Sequence, residues 1–228
     1  MILEQIFDFI SKFHHRKIAS HVRNLDCKIL IDVGSHKGEF LKSFLDIYKI
    51  RKFYCFEPQI EVFKVLKKEF KNNKKVKLHN FALGESQGKK KIYISNLTSL
   101  STMSKFDHKS FWLKFKNLIV GDKRGSNLVS RIKQKKIDMI FKNISLKKSF
   151  LKIDVEGYEL NVLKGCEKKI KEIPYVLVES HTFSQYHNKS NLVNEFLKNN
   201  NFLIVKRFYY PTFHYKDVLY KNKKIADI

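Results

Sequence analysis

Ile31-Asp32-Val33-Gly34-Ser35-His36-Lys37-Gly38 takes the chain from a short apolar strand, Lys28 to Val33, through a turn marked by two glycines and into a stretch of helical spacing, Glu39 to Tyr48. The same beat continues outward. Phe53 to Phe56 reads as a second strand. After Pro58 the positions Ile60, Phe63, Val65, Leu66 and Phe70 read as a helix that Asn72-Asn73 ends, and Val76 to Phe81 as a third strand. Gly84 to Gly88 is a turn, and Lys90 to Ile94 alternates as an edge strand does. The rhythm lapses from Ser95 to Arg131, around the aromatic cluster Phe106 to Phe115. It returns as strand Phe150 to Val155, helix Leu160 to Lys171, strand Tyr175 to Ser180, helix Asn191 to Lys198, and strands Phe202 to Phe208 and Asp217 to Tyr220. Strands separated by helices specify an α/β fold with a mostly parallel sheet and helices on both faces. The last two strands, with no helix between them, specify an antiparallel pair at one sheet edge.

At 228 residues, 43% of them hydrophobic, the chain suits one domain over residues 25–228, with an unplaced insertion at 96–130. Such a chain buries roughly two thirds to three quarters of its unfolded surface and needs no disulfide to hold it. Cys27, Cys55 and Cys166 are too scattered for a disulfide framework or a C-x-x-C signature, which fits a reducing cytoplasm. No run approaches the ~18 apolar residues of a membrane span. At the N-terminus Glu4 and Asp8 interrupt the apolar residues and no small-residue cleavage site follows, so no signal peptide is expected. Leu3, Ile6, Phe7, Ile10 and Phe13 describe instead a cover helix within residues 1–24. The 46 Lys+Arg against 22 Asp+Glu give a net charge of +24, yet only six of the basic residues are Arg. The charge reads first as the Lys-, Asn-, Ile- and Phe-rich usage of an A+T-rich genome, and second as a field that draws anionic substrates or lipids. No recognisable RNA module is present, and a nucleic-acid partner is not expected.

Ligands of an open parallel sheet bind beyond the carboxyl ends of its strands. There Gly34 and Gly38 form G-x-x-x-G, without the second glycine that a dinucleotide pyrophosphate needs, which disfavours a nicotinamide dehydrogenase. Phe56-Glu57-Pro58 sets a carboxylate at the second strand end, where it can accept both hydroxyls of a ribose or simply face a helix N-terminus. Asn80-Phe81-Ala82-Leu83-Gly84 offers an apolar shelf for an adenine. Together these describe an adenosyl pocket. In Phe150-Leu151-Lys152-Ile153-Asp154-Val155-Glu156-Gly157-Tyr158-Glu159-Leu160 the charged residues Lys152, Asp154 and Glu156 recur at period two. They are either a functional set or an ion pair that anchors the loop.

These blocks, with Val162-Leu163-Lys164-Gly165 and Val178-Glu179, resemble the FkbM-type S-adenosylmethionine-dependent methyltransferases over residues 28–182. The resemblance implies a Rossmann-like class I methyltransferase fold and methyl transfer to oxygen on sugars, glycans or other secondary metabolites. It places the methionine part of the cofactor by Asp32, Gly34 and Gly38, the ribose on Glu57, and the acceptor near Asp154, Glu156 and Glu159. The pocket read at the strand ends adds Ser35, Pro58, Phe81, Ala82 and Asp154 to the cofactor contacts. Family members usually carry Ala-Asn where this chain has Ser35-His36.

An alcohol is a poor nucleophile until it sheds its proton, so a positioned base is expected. The candidates are Glu156, Asp154 and His181, with Lys152 holding the carboxylates in place. Asp154, Glu156 and Glu179 offer the hard oxygens of a divalent-cation site as a lesser alternative, and no metal site is assigned. His14-His15, His108, His187 and His214 lack mutual ligand spacing and read as solvent or core residues. The competing function is a non-catalytic basic module on the same fold, binding nucleic acid or another anionic polymer through its aromatic-basic stretches.

Overall fold

A computed structural model describes residues 2–47, 49–94, 103, 128–181, 189–210 and 215–225. In chain order the elements are α1 (Ile2–Val22), β1 (Ile29–Val33), α2 (Glu39–Phe44), β2 (Lys52–Phe56), α3 (Ile60–Phe70), β3 (Val76–His79), β4 (Ala82–Leu83), β5 (Gly88–Ile94), β6 (Leu128–Lys135) and α4 (Ile137–Ile140). There follow β7 (Ser149–Ile153), α5 (Glu159–Lys164), a 3₁₀ turn (Lys169–Glu172), β8 (Tyr175–His181), α6 (Lys189–Asn199), β9 (Phe202–Tyr209) and β10 (Tyr215–Asn222).

Seven strands form one sheet in the order β3-β2-β1-β7-β8-β10-β9. All run parallel except β10, which is antiparallel to both neighbours, so the antiparallel strand lies one in from the edge that β9 closes. β1, β2 and β7 are buried and mostly apolar on both faces because helices cover both. On one face Leu30, Phe53, Cys55, Phe150 and Leu177 pack with Ile18, Ala19 and Val22 of α1 and Phe40, Leu41 and Phe44 of α2. On the other, Ile31, Val33, Phe56, Leu151, Ile153 and Val176 pack with Phe141, Val162, Leu163 and Leu197. Strand order reverses between β1 and β7, the crevice where ligands of such sheets bind.

The structure departs from the sequence reading at several boundaries. α2 stops at Phe44 and not at Tyr48, because two tight turns drive Ile47 and Ile50 into the core. α5 stops at Lys164, since Gly165 and Cys166 are buried where the chain meets β4, and a 3₁₀ turn replaces the rest of the expected helix. The third strand ends at His79, and Ala82 and Leu83 join a second, three-stranded sheet, β4-β6-β5. β6 and α4 were not expected at all. The cluster Phe106 to Phe115 lies outside the described residues.

Candidate active site

β1 and β7 are neighbours in register, with Asp32 opposite Lys152. Both side chains point to the α1/α2 face, as do Leu30 and Phe150 two residues earlier. Lys152 Nζ lies 3.0 Å from Asp32 Oδ1 and 3.3 Å from Asp154 Oδ2, and donates to the Gly34 carbonyl at 2.9 Å. Burial alone would strip the Lys152 proton, but Asp154 and Asp32 reverse this and hold its pKa above the ordinary lysine value. Burial pushes the Asp32 carboxyl up, and the Lys152 ammonium offsets this only in part. Asp32 is fully buried, whereas the Asp154 side chain keeps 35% of its exposure. Lys152, expected to hold the carboxylates of the catalytic set in place, lies beneath the site between Asp32 and Asp154. It ties the β1 loop to two carboxylates.

The glycines of the first loop are explained by packing. Gly34 has φ +81°, and a Cβ on it would lie 1.8 Å from the Asp154 carbonyl oxygen. Gly38 has φ +89°, and its Cβ would strike Phe70 at 2.4 Å and Leu66 at 2.9 Å, both on α3. The space where a side chain would stand at each glycine is therefore filled by protein. Ser35 is engaged within the loop itself. Its hydroxyl donates to the Asp32 carbonyl and accepts from the Phe56 amide, its amide donates to the Phe56 carbonyl, and its carbonyl accepts from the Gly38 amide. Ser35 shapes the loop that staples β1 to β2.

Glu57, only 3% exposed, ends β2. Its Oε2 accepts the His36 amide at 3.0 Å and its Oε1 the Gln59 amide at 2.8 Å. Burial pushes its pKa up to about 7, against the pull of those two amides. His36 bridges onward, its Nδ1 lying 3.0 Å from Glu39 Oε1 at the start of α2. Asn80, a residue the sequence reading gave no role, straps the β3 end to this loop by donating to the carbonyls of Glu57 and Pro58. Phe81, at the position expected to offer a shelf, has its ring 5.5 Å from that of Phe56, with Lys135 Nζ 4.5 Å from its centre. Ala82 does not line that shelf: it is 5% exposed and packs with Ile92 and Ile132 inside the small sheet.

Beyond β7, Glu156 has φ +52° and is 7% exposed. A non-glycine residue held in that region stores of order 1 kcal/mol or more and recurs at functional sites. Gly157 follows at φ +88°. Glu159, expected beside the acceptor, folds back so that its Oε1 accepts the Gly157 amide at 2.7 Å. His181 ends β8 opposite Tyr215 of β10, and its side chain lies outside the described residues. One pair earlier but one, Glu179 stands opposite Asp217.

His14 and His15 read from the sequence as solvent or core residues, yet α1 brings both to this end of the sheet. His14, 2% exposed, sets Nε2 2.7 Å from Asp217 Oδ2, with its ring edge-on to Tyr210 and Tyr215. His15 packs edge-on to Phe40 at 5.3 Å, the ring over which Lys152 Nζ also lies at 5.3 Å. Burial and then the Lys152 charge lower its pKa to about 3, so it stays a neutral imidazole. The signal for His14 was its pairing with a distant acid, and for His15 its packing on Phe40, neither of which local spacing reveals. Among the described residues no group of three or more His, Cys, Asp or Glu is placed to hold a metal ion.

The sheet order and these strand ends define a class I methyltransferase. The Methyltransferase FkbM domain matches residues 32–204, and the chain belongs to that family. α1 lies outside the matched span. Among solved structures the chain is similar to a Streptococcus pneumoniae protein assigned as a tRNA (m1A22) methyltransferase, with 11% identity and TM-score 0.52 over 90% of this chain and 67% of that one. It is also similar to precorrin-6y C5,15-methyltransferase of Geobacter metallireducens, with 7% identity and TM-score 0.48 over 90% and 86% of the two chains. A third is TrmK of M. capricolum in complex with S-adenosylhomocysteine, with 12% identity and TM-score 0.47 over 91% and 68%. No curated protein matches the sequence. No described helix is long and apolar enough to cross a membrane.

Proposed function

We propose that the chain moves a methyl group from S-adenosylmethionine to a hydroxyl of a sugar, glycan or secondary metabolite. The observation that carries this reading is Glu57. A helix-capping acid on the surface would be solvated and ionised, whereas this one is buried with a raised pKa and only two amide donors. A carboxylate has about four acceptor sites, so a ribose diol supplies the donors that Glu57 lacks. The residues present fit the rest of the cofactor too. The acids Asp32 and Asp154 outnumber Lys152, the cation set between them, which suits a donor bearing an ammonium and a sulfonium.

In this reading Glu57 orients the ribose, Pro58 and Phe81 flank the adenine, and the loop of Asp32, Gly34 and Gly38 shapes the methionine end. Ser35 and Ala82 act through the loop and the small sheet. The bound cofactor supplies an electrophilic methyl on a good leaving group, and the protein supplies alignment. Glu156 or His181 takes the acceptor proton, while Asp154, fixed by Lys152, faces the partly open side of the cluster. Strain at Glu156 favours it as the base, because the loop holds its carboxyl where relaxed backbone would not.

Calorimetric titration with S-adenosylmethionine tests the reading. Micromolar binding by the wild type, abolished in Glu57→Ala, is the expected result. No heat and no thermal stabilisation in the wild type overturns it and favours the non-catalytic basic module.

A further inference from the structure

The small sheet turns a strongly basic face outward. Along β5 Lys89 and Lys91 are exposed while Ile92 is buried, and along β6 Arg131 and Lys133 are exposed while Ile132 and Gln134 are buried. The register sets Lys89 directly opposite Lys133 and Lys91 directly opposite Arg131. Such opposed residues have Cβ atoms about 4.5–5.5 Å apart, and like charges there oppose strand pairing. Neither strand contains an acidic residue. Among the described residues none of the four cations enters an ion pair. General lysine richness accounts for exposed cations, but not for two self-repelling pairs on one face with no acid between them. The face also leads somewhere. Lys135, next on the same side of β6, reaches over the Phe81 ring, which stands against Phe56 beside Glu57.

We propose that this face binds the phosphodiester backbone of a nucleic-acid strand and leads its sugars toward the methyl-transfer site. Same-side residues along a strand are spaced by roughly 6.8 Å, so the four cations form a flat two-by-two grid that can follow successive phosphates. Three of the four are Lys, compact charges without the fork that reads base edges, so the grid positions a backbone and carries no sequence code. A ribose hydroxyl then becomes a sugar acceptor attached to a polyanion. That last step rests on the proposed methyl transfer, whereas the binding itself does not.

The test is fluorescence anisotropy of a labelled oligouridylate RNA against the full chain across a salt series. The wild type is compared with Lys89→Gln, Lys91→Gln, Arg131→Gln, Lys133→Gln combined. A control that loses the same net charge replaces the exposed residues Lys64, Lys67 and Lys68 of α3 and Lys71 just beyond it by Gln. With about 0.7 counterions released per single-strand phosphate contact, the slope of log affinity against log salt should shrink by about 3 in the sheet variant and stay near wild type in the control. The sheet variant should also melt no lower than the wild type, since it relieves repulsion. Four outcomes overturn the proposal: no RNA binding by the wild type, equal losses in both variants, a lowered melting temperature in the sheet variant, or patch-dependent binding of a sulfated heparin fragment in place of RNA. Titrating the same proteins with S-adenosylmethionine keeps the two readings apart. Lost cofactor binding with intact RNA binding removes the methyl transfer and leaves this surface standing.

Discussion

Gly165 stands so close to Gly84 that a Cβ built on it would lie 2.1 Å from the Gly84 carbonyl oxygen. The residue that caps α5 is thereby locked onto the residue that follows β4, joining the C-terminal end of α5 to the small sheet. Gln134 reinforces the joint: its Oε1 accepts from the Tyr158 hydroxyl and its Nε2 donates to the Ser86 carbonyl. Gly165→Ala should therefore overpack backbone against backbone and lose about 1–3 kcal/mol. For a chain of this size that lowers the melting temperature by roughly 3–10 °C. An unchanged melting curve followed by circular dichroism would show that the joint yields at no cost.

Lys152 is the buried cation that faces Asp32 and Asp154, and its removal should be severe. Lys152→Met strands Asp32, which is fully buried, and breaking a buried pair from one side costs about 3–5 kcal/mol in urea denaturation. The double variant Lys152→Met, Asp32→Asn should recover part of that loss, because it removes the stranded charge. The folded-state pKa of Lys152 is raised, so the stability it contributes is fully present below the unfolded value near 10.4 and fades only as pH rises through the folded one. Between pH 6 and 9 the wild type should accordingly show no stability step from this lysine. A Lys152→Met protein as stable as wild type would remove the organising role.

β1, β2 and β7 were legible because burial on both faces writes them as largely apolar runs, interrupted in β1 and β7 by Asp32 and Lys152, and Glu57 because an acid at a second strand end has a place in such folds. β6 was not legible. Its inward residues include Gln134, its outward ones Arg131 and Lys133, so the alternation reads as a polar run until the β5 pairing is known. The glycines of the first loop were legible as a tight turn but their packing was not, since what fills the space beside Gly38 is Phe70, a helix away in sequence. His14 was dismissed because its partner Asp217 is 203 residues distant. Residues whose meaning is local were readable, and those whose meaning is a contact across the fold were not.

Glu57 should make cofactor affinity depend on pH. Its folded pKa of about 7 lies above the ordinary 4.5, so its contribution to stability is fully present below pH 4.5 and is lost as pH rises through 7, a swing of about 3 kcal/mol. Accepting two ribose hydroxyls favours the ionised form, so binding draws off a proton wherever the free carboxyl is protonated. Affinity for S-adenosylhomocysteine should then fall about tenfold from pH 8 to pH 6. Proton release at pH 6 should appear as a dependence of the binding heat on buffer ionisation. Glu57→Gln should bind more weakly and without that pH slope, and a wild-type affinity flat across this range would rule out Glu57 as the titrating contact.

The His14–Asp217 pair should decide whether α1 stays on the sheet. Ile18, Ala19 and Val22 hold the C-terminal half of the helix in the core, while toward its N-terminal half the polar anchors are His14 on Asp217 and Ser11, whose hydroxyl lies 3.0 Å from that of Tyr210. Asp217 is 7% exposed, so His14→Ala leaves a buried carboxylate without its partner. The strain is relieved most simply by lifting the helix start and admitting water. Trypsin sites at Lys12, Arg16 and Lys17 should then be cut at least tenfold faster, the factor that about 1.4 kcal/mol of local opening gives. Asp217→Asn, which removes the charge but keeps a hydrogen-bonding amide, should fall between the two. Because α1 also carries His15 to Phe40 and Lys152, the same opening should weaken cofactor binding, and faster cleavage with unchanged cofactor affinity would separate the helix from the site.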